Sequence, residues 1–224
     1  MKRINFFILL LVALMNDIPT SAQSSFSVRV GTNLGYWKTT VNGIKIYPNQ
    51  NNGYKVYPII SVPFDFNLSK HWAIQADPSF IQKGTEIDYV KDNKTYEDCR
   101  LSVSYGEVPI FVKYFFLNPK KGFNLFLGPS FGIALGGKIK RGNNPLYQGT
   151  QINDALKFNI VGYPEREISF MIGLGNQFGR RSFDVRYSWG LTNLGIDKVG
   201  YAKFYNRGFH IAYIYNLWQD QKYL

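Results

Sequence analysis

The chain has 224 residues, with 26 Lys and Arg against 15 Asp and Glu and a formal charge of +11. Hydrophobic residues make up 45% and aromatics 17%, enough apolar surface to exclude a disordered chain. One cysteine, Cys99, and two histidines, His71 and His210, exclude a disulfide framework and a zinc site built from clustered Cys or His.

Residues 1–22 read as a secretory signal peptide. Lys2 and Arg3 precede an apolar run over 4–15, and Thr20-Ser21-Ala22 supplies the small residues of a cleavage site. The run falls short of the ~20 apolar residues a spanning helix needs. Residues 23–224 are then one exported domain.

Past residue 22 the recurring signal is alternation with period two, the mark of half-buried strands. In residues 26–37, Phe26, Val28, Val30 and Leu34 oppose Ser27, Arg29, Gly31 and Asn33. In 56–67, Val56, Ile60, Val62, Phe64 and Phe66 oppose Ser61, Asp65 and Asn67; in 72–85, Trp72, Ile74, Ala76 and Phe80 oppose Gln75, Asp77 and Ser79. In 101–116 the parity slips: Leu101, Val103 and Tyr105 share the apolar face, then Val108, Ile110, Val112 and Tyr114 take it over. That predicts a β-bulge near Tyr105-Gly106.

The later runs are cleaner. Residues 123–136 set Leu125, Leu127, Phe131, Ile133 and Leu135 against Asn124, Gly128, Ser130, Gly132 and Ala134. Residues 167–178 set Ile168, Phe170, Ile172 and Leu174 against Glu167, Ser169, Gly173, Gly175 and Gln177. Residues 182–192 set Phe183, Val185, Tyr187, Trp189 and Leu191 against Asp184, Arg186 and Ser188, and 207–218 set Phe209, Ile211, Tyr213, Tyr215 and Leu217 against Gly208, His210, Ala212 and Asn216.

Short connections (69–71, 118–122, 179–181) alternate with long polar ones (39–54, 86–98, 138–165 and about 196–205). An even strand number with this alternation predicts an all-β fold, an eight-stranded antiparallel up-and-down transmembrane β-barrel. Face chemistry favours the membrane over a soluble barrel. The large aromatic face would overfill a narrow eight-stranded interior, whereas Gly, Ser, Ala and isolated charges fit it. Strands of this length exceed the 9–11 residues needed to cross and should project beyond the bilayer.

The inward parity collects Arg29, Asp65, Asp77, Glu107, Lys113, Glu167, Asp184, Arg186 and His210. Buried charges must be paired, so a salt-bridged plug is favoured over a catalytic site or ion pathway. A rival reading makes His210 a general base with Ser188 or Asp184 in a lipid-modifying barrel enzyme. No cofactor or metal is expected. The acid-rich stretch 86–98 reads as solvated, and Cys99 as a tolerated small residue. Lys70, Lys120, Lys121, Arg180 and Arg181 sit in short turns without acids, which suits anionic lipid head groups better than nucleic acid.

Four segments in order carry a family likeness: Ile81-Gln82-Lys83-Gly84; Tyr105-Gly106-Glu107-Val108-Pro109-Ile110-Phe111-Val112-Lys113-Tyr114; Gly128-Pro129-Ser130-Phe131-Gly132; and Arg186-Tyr187-Ser188-Trp189-Gly190-Leu191-Thr192-Asn193. Together, over residues 24–218, they resemble the PorT-like outer-membrane β-barrel family of Gram-negative bacteria. The resemblance implies a non-enzymatic barrel in the outer membrane. One type of member assists a protein-secretion and gliding machinery, and most have no assigned role. The expected partners are outer-membrane lipids and other envelope or secretion proteins, with the barrel a monomer. One departure is the tail 219–224 after the last strand, where many such barrels end on an aromatic residue.

Overall fold

Strands dominate because the alternating sequence gives each segment one apolar wall and one small or polar wall. The computed structural model describes residues 23–41, 44–46, 54–91, 94–117, 121–140, 153–155, 164–194 and 202–219. The signal-peptide segment, much of the long connections and the tail 220–224 lie outside them.

The described segments are β1 (Gln23–Val41), β2 (Ile44–Ile46), β3 (Lys55–Ser61), β4 (Phe64–Asn67), β5 (Trp72–Ala76), β6 (Ser79–Lys91), β7 (Lys94–Phe115), β8 (Lys121–Lys140), β9 (Asn153–Ala155), β10 (Arg166–Phe178), β11 (Arg181–Gly190) and β12 (Ala202–Gln219). They form eight staves. β3 and β4 are one stave broken at Val62-Pro63, and β5 and β6 another broken at Asp77-Pro78; β2 and β9 only extend the sheet beside β1 and β8. All pairings are antiparallel, and β12 pairs back onto β1 from Ser25↔Gln219 to Val41↔Ala202, closing the ring.

Both breaks have the same cause. Proline has no N–H to give the ladder, so it occurs in sheets at bulges and edges. The neighbouring donors still find carbonyls across each break: Ser27 N–H to Pro63 O at 3.0 Å, Val62 N–H to Pro78 O at 3.0 Å and Asp77 N–H to Pro109 O at 3.0 Å.

Three expectations change. First, β7 keeps a single parity: Val103 and Tyr105 are buried together with Glu107, Pro109, Phe111 and Lys113. The β7–β8 register does shift at Ser104/Tyr105, but Gly136 and Ala134 are the successive partners. The extra residue is therefore Leu135 on β8, which points outward. Second, 86–98 is not a loop, because β6 and β7 remain paired as far as Lys91↔Lys94. Third, the interior is not filled by small residues alone. Trp37, Ile59, Ile81, Val103, Tyr105 and Leu194 pack as one buried cluster, and Phe111, Phe126 and Met171 as a second. Glycines make this possible. A Cβ at Gly173 would overlap the Phe126 ring lying across it.

The outer wall is apolar, with Val30, Ile60, Ile110, Leu127, Phe131, Ile168, Leu174, Phe183, Val185 and Ile211 all exposed. Aromatic residues gather near the short turns, where Trp72 stands edge-on to Tyr114 at 4.8 Å and His71 stacks on it at 5.8 Å. The two-residue turn Gly179-Arg180 uses the left-handed backbone (φ 61°) that glycine tolerates.

Candidate functional site: the charged lumen

Inward-pointing residues from all eight staves meet on the barrel axis. Asp184 and Arg186, two apart on β11, necessarily share a face. Asp184 accepts from Arg29 of β1 (Nη2 to Oδ1, 3.2 Å; Nε to Oδ2, 3.2 Å) and from Arg186 (Nη2 to Oδ2, 2.6 Å; Nε to Oδ2, 2.9 Å). Arg186 reaches on through Nη1 to Asp77 at the break in the third stave. Arg29–Asp184–Arg186–Asp77 is thus one ladder of alternating charge across the lumen. The Arg186 guanidinium also lies over the Phe111 and Phe126 rings, at 4.8 and 5.0 Å from their centroids. There a ring face can stabilise a desolvated cation.

A second group lies nearer the loop end. Glu107 of β7 and Glu167 of β10 both oppose Gly132 of β8, so two carboxylates flank a position with no side chain. Like charges so placed need a cation between them. Lys83 supplies it, its Nζ 3.0 Å from Glu107 Oε1 and 3.3 Å from Glu167 Oε2. Asn206 donates to Glu167 Oε2 at 3.0 Å and Ser169 to Glu107 Oε1 at 3.4 Å. Lys83 also lies 5.2 Å from the Tyr105 ring centroid, beneath the Trp37–Ile59–Leu194 cluster. Nearer the short turns a third pair, Lys113 and Asp65, meets at 3.4 Å, with Ser25 donating to Asp65 at 3.4 Å.

The nine residues gathered from inward parity are all buried. Eight of them belong to these three groups. His210 lies opposite Arg186 on β11 and Asn33 on β1. The arrangement does not build a triad. Ser188 lies opposite Gly208, Asp184 is held by two arginines, and no hydrogen bond among the described residues joins His210 to either. Parity reasoning missed Lys83. Its run was followed inward only to Ser79, although Ile81, Lys83 and Thr85 continue the same face and are buried. With Lys83, five buried acids face four buried bases among the described residues, and each of the nine makes an ion pair.

A closed sheet with an apolar outer wall, aromatics near its turns and a paired-charge interior defines a membrane-spanning β-barrel. Residues 21–195 match the family model described as the outer membrane protein beta-barrel domain, and the chain belongs to that family; it is an outer-membrane β-barrel protein. Among solved structures it is similar to Ail, the attachment invasion locus protein of Yersinia pestis, at 14% identity and TM-score 0.38 over 87% of this chain and 99% of that one. It is also similar to Neisserial surface protein A, at 10% identity and TM-score 0.44 over 87% and 99%, and to the N-terminal β-barrel domain of Pseudomonas aeruginosa OprF, at 11% and 0.33 over 86% and 100%. No curated protein matches the sequence.

Proposed function

We propose that this protein is a plugged, monomeric scaffold that acts through the segments at its loop end, as an accessory to other envelope proteins, and has no catalytic role of its own. The observation that carries this reading is the pairing of every described buried charge in the lumen, layered with two apolar clusters. A filled interior offers no path for solute, which leaves the outward segments to interact. The finer reading is an accessory to protein secretion of the PorT-like kind, and the four segments quoted above support it. Their charged residues Lys83, Glu107, Lys113 and Arg186 are lumen residues.

The test replaces residues 141–152 by a short Gly-Ser linker and compares crosslinked partners with those of the full chain, both recovered from intact membranes. Envelope proteins captured by the full chain and lost from a variant that still folds support the reading. An identical set of partners from both would contradict it.

A further inference from the structure

Above its apolar band the outer wall carries guanidiniums, Arg166 on β10 and Arg207 on β12. Arg207 of β12 points outward, since Phe209 and Ile211 share its parity and are exposed while Asn206 and Gly208 are buried. Trp218 marks the other end of the same stave, 11 residues away. At a rise of about 3.4 Å per residue and a tilt near 40°, that separation is roughly 28 Å along the membrane normal. The apolar band of such barrels is about 25 Å tall. Arg207 therefore stands at the head-group level of the leaflet at the loop end.

Its setting is built rather than incidental. In register, Tyr36 of β1 and Trp189 of β11 flank Arg207 on either side. Nη1 is tethered to Gly190 O at 2.6 Å and Asn206 O at 3.2 Å, which fixes the plane of the group and leaves Nε and Nη2 without a hydrogen bond to the described residues. The Tyr36 and Tyr187 hydroxyls meet at 3.1 Å beside it. One of them donates to the other, so the pair keeps one spare proton donor. Lys38 is one outward step above Tyr36, and Lys203 is exposed further up β12. Among the described residues no acid on these strands balances this charge: β1 and β12 contain none, and the only one in β11, Asp184, points into the lumen.

We infer that Arg207, with Lys38 and the Tyr36–Tyr187 hydroxyl pair, is a binding site on the outer wall for the phosphate group of a membrane lipid in the leaflet at the loop end. A planar fork with free N–H donors matches two phosphate oxygens at once. At the head-group level, only a lipid presents a phosphate with its tails against the apolar wall below, where Phe209 and Ile211 are exposed.

The test uses the full chain in phosphatidylcholine nanodiscs doped with phosphatidic acid, or with diacylglycerol of the same tails and no phosphate. Lipid retained on the protein after detergent release is read by native mass spectrometry. Phosphatidic acid should be retained at least about tenfold over diacylglycerol, the difference expected from charge-assisted hydrogen bonds. Arg207→Ala should remove that preference, and so should Lys38→Ala, whose side chain makes no hydrogen bond within the described sheet. Leu127→Ala, on the outer wall of β8, should leave it unchanged. Equal retention of the two lipids, a preference surviving both Arg207→Ala and Lys38→Ala, or loss of retention on adding millimolar inorganic phosphate would overturn the assignment.

Discussion

Asp184 is the residue on which the lumen's charge balance hinges, because two guanidiniums from different staves share its carboxylate. Removing one partner from a buried pair leaves the other uncompensated, which costs about 3–5 kcal/mol. Arg186→Ala leaves Asp77 without its cation and Asp184 with Arg29 alone, so its unfolding midpoint in urea should fall sharply. Adding Asp77→Asn should recover part of the loss; a double variant no more stable than Arg186→Ala would contradict the ladder. Inward placement of Arg186 and Asp184 was legible from parity alone. Which charges touch was not, because pairs such as Arg29–Asp184 join distant strands whose stagger the sequence does not display. Phe111 and Phe126 were hidden for another reason. Each sits between two apolar neighbours, Ile110 and Val112 or Leu125 and Leu127, so no alternation marks it as inward.

At the scale of the element, each strand is defined by two walls with opposite tolerances. Ile211 faces lipid and Ser188 faces the lumen. Ile211→Arg puts a cation against acyl chains and should cost up to about 2–4 kcal/mol, most near the bilayer midplane. Ser188→Arg should be destabilising through crowding and should be eased by trimming a neighbouring inward side chain, whereas Ile211→Arg should not respond. Folding titrations into vesicles read both, and equal tolerance at the two sites would reverse the face assignment. The strand count was legible because turn residues punctuate the period-two runs. The bulge was misplaced because small residues obscure the pattern around Gly106 and Gly136 on both strands, and only the partner's register puts the extra residue at Leu135. Turns and loops make a separate prediction. An epitope within 141–152 should be accessible on intact cells, and one within 118–120 should not, since short turns of such barrels face the periplasm. The opposite accessibility would invert the barrel.

At the scale of the whole molecule, the +11 charge is distributed with purpose. The described lumen nearly balances, with five acids and four bases, so the excess lies outside it. Lys70, Lys121, Arg180 and Arg181 are exposed at the short-turn end, and Lys38, Lys203 and Arg207 sit at the loop end. We propose that anionic head groups hold these basic residues at both membrane surfaces, by about 1 kcal/mol each. On the proposed reading, a barrel filled by paired charge and aromatic clusters is closed to solute. The most direct measurement is single-channel recording of the pure full chain in planar bilayers. A closed lumen predicts a silent bilayer at moderate voltage. Sustained, sizeable current steps, blocked by filling the lumen further with Ser188→Arg, would show an open path through the barrel and contradict the plugged scaffold.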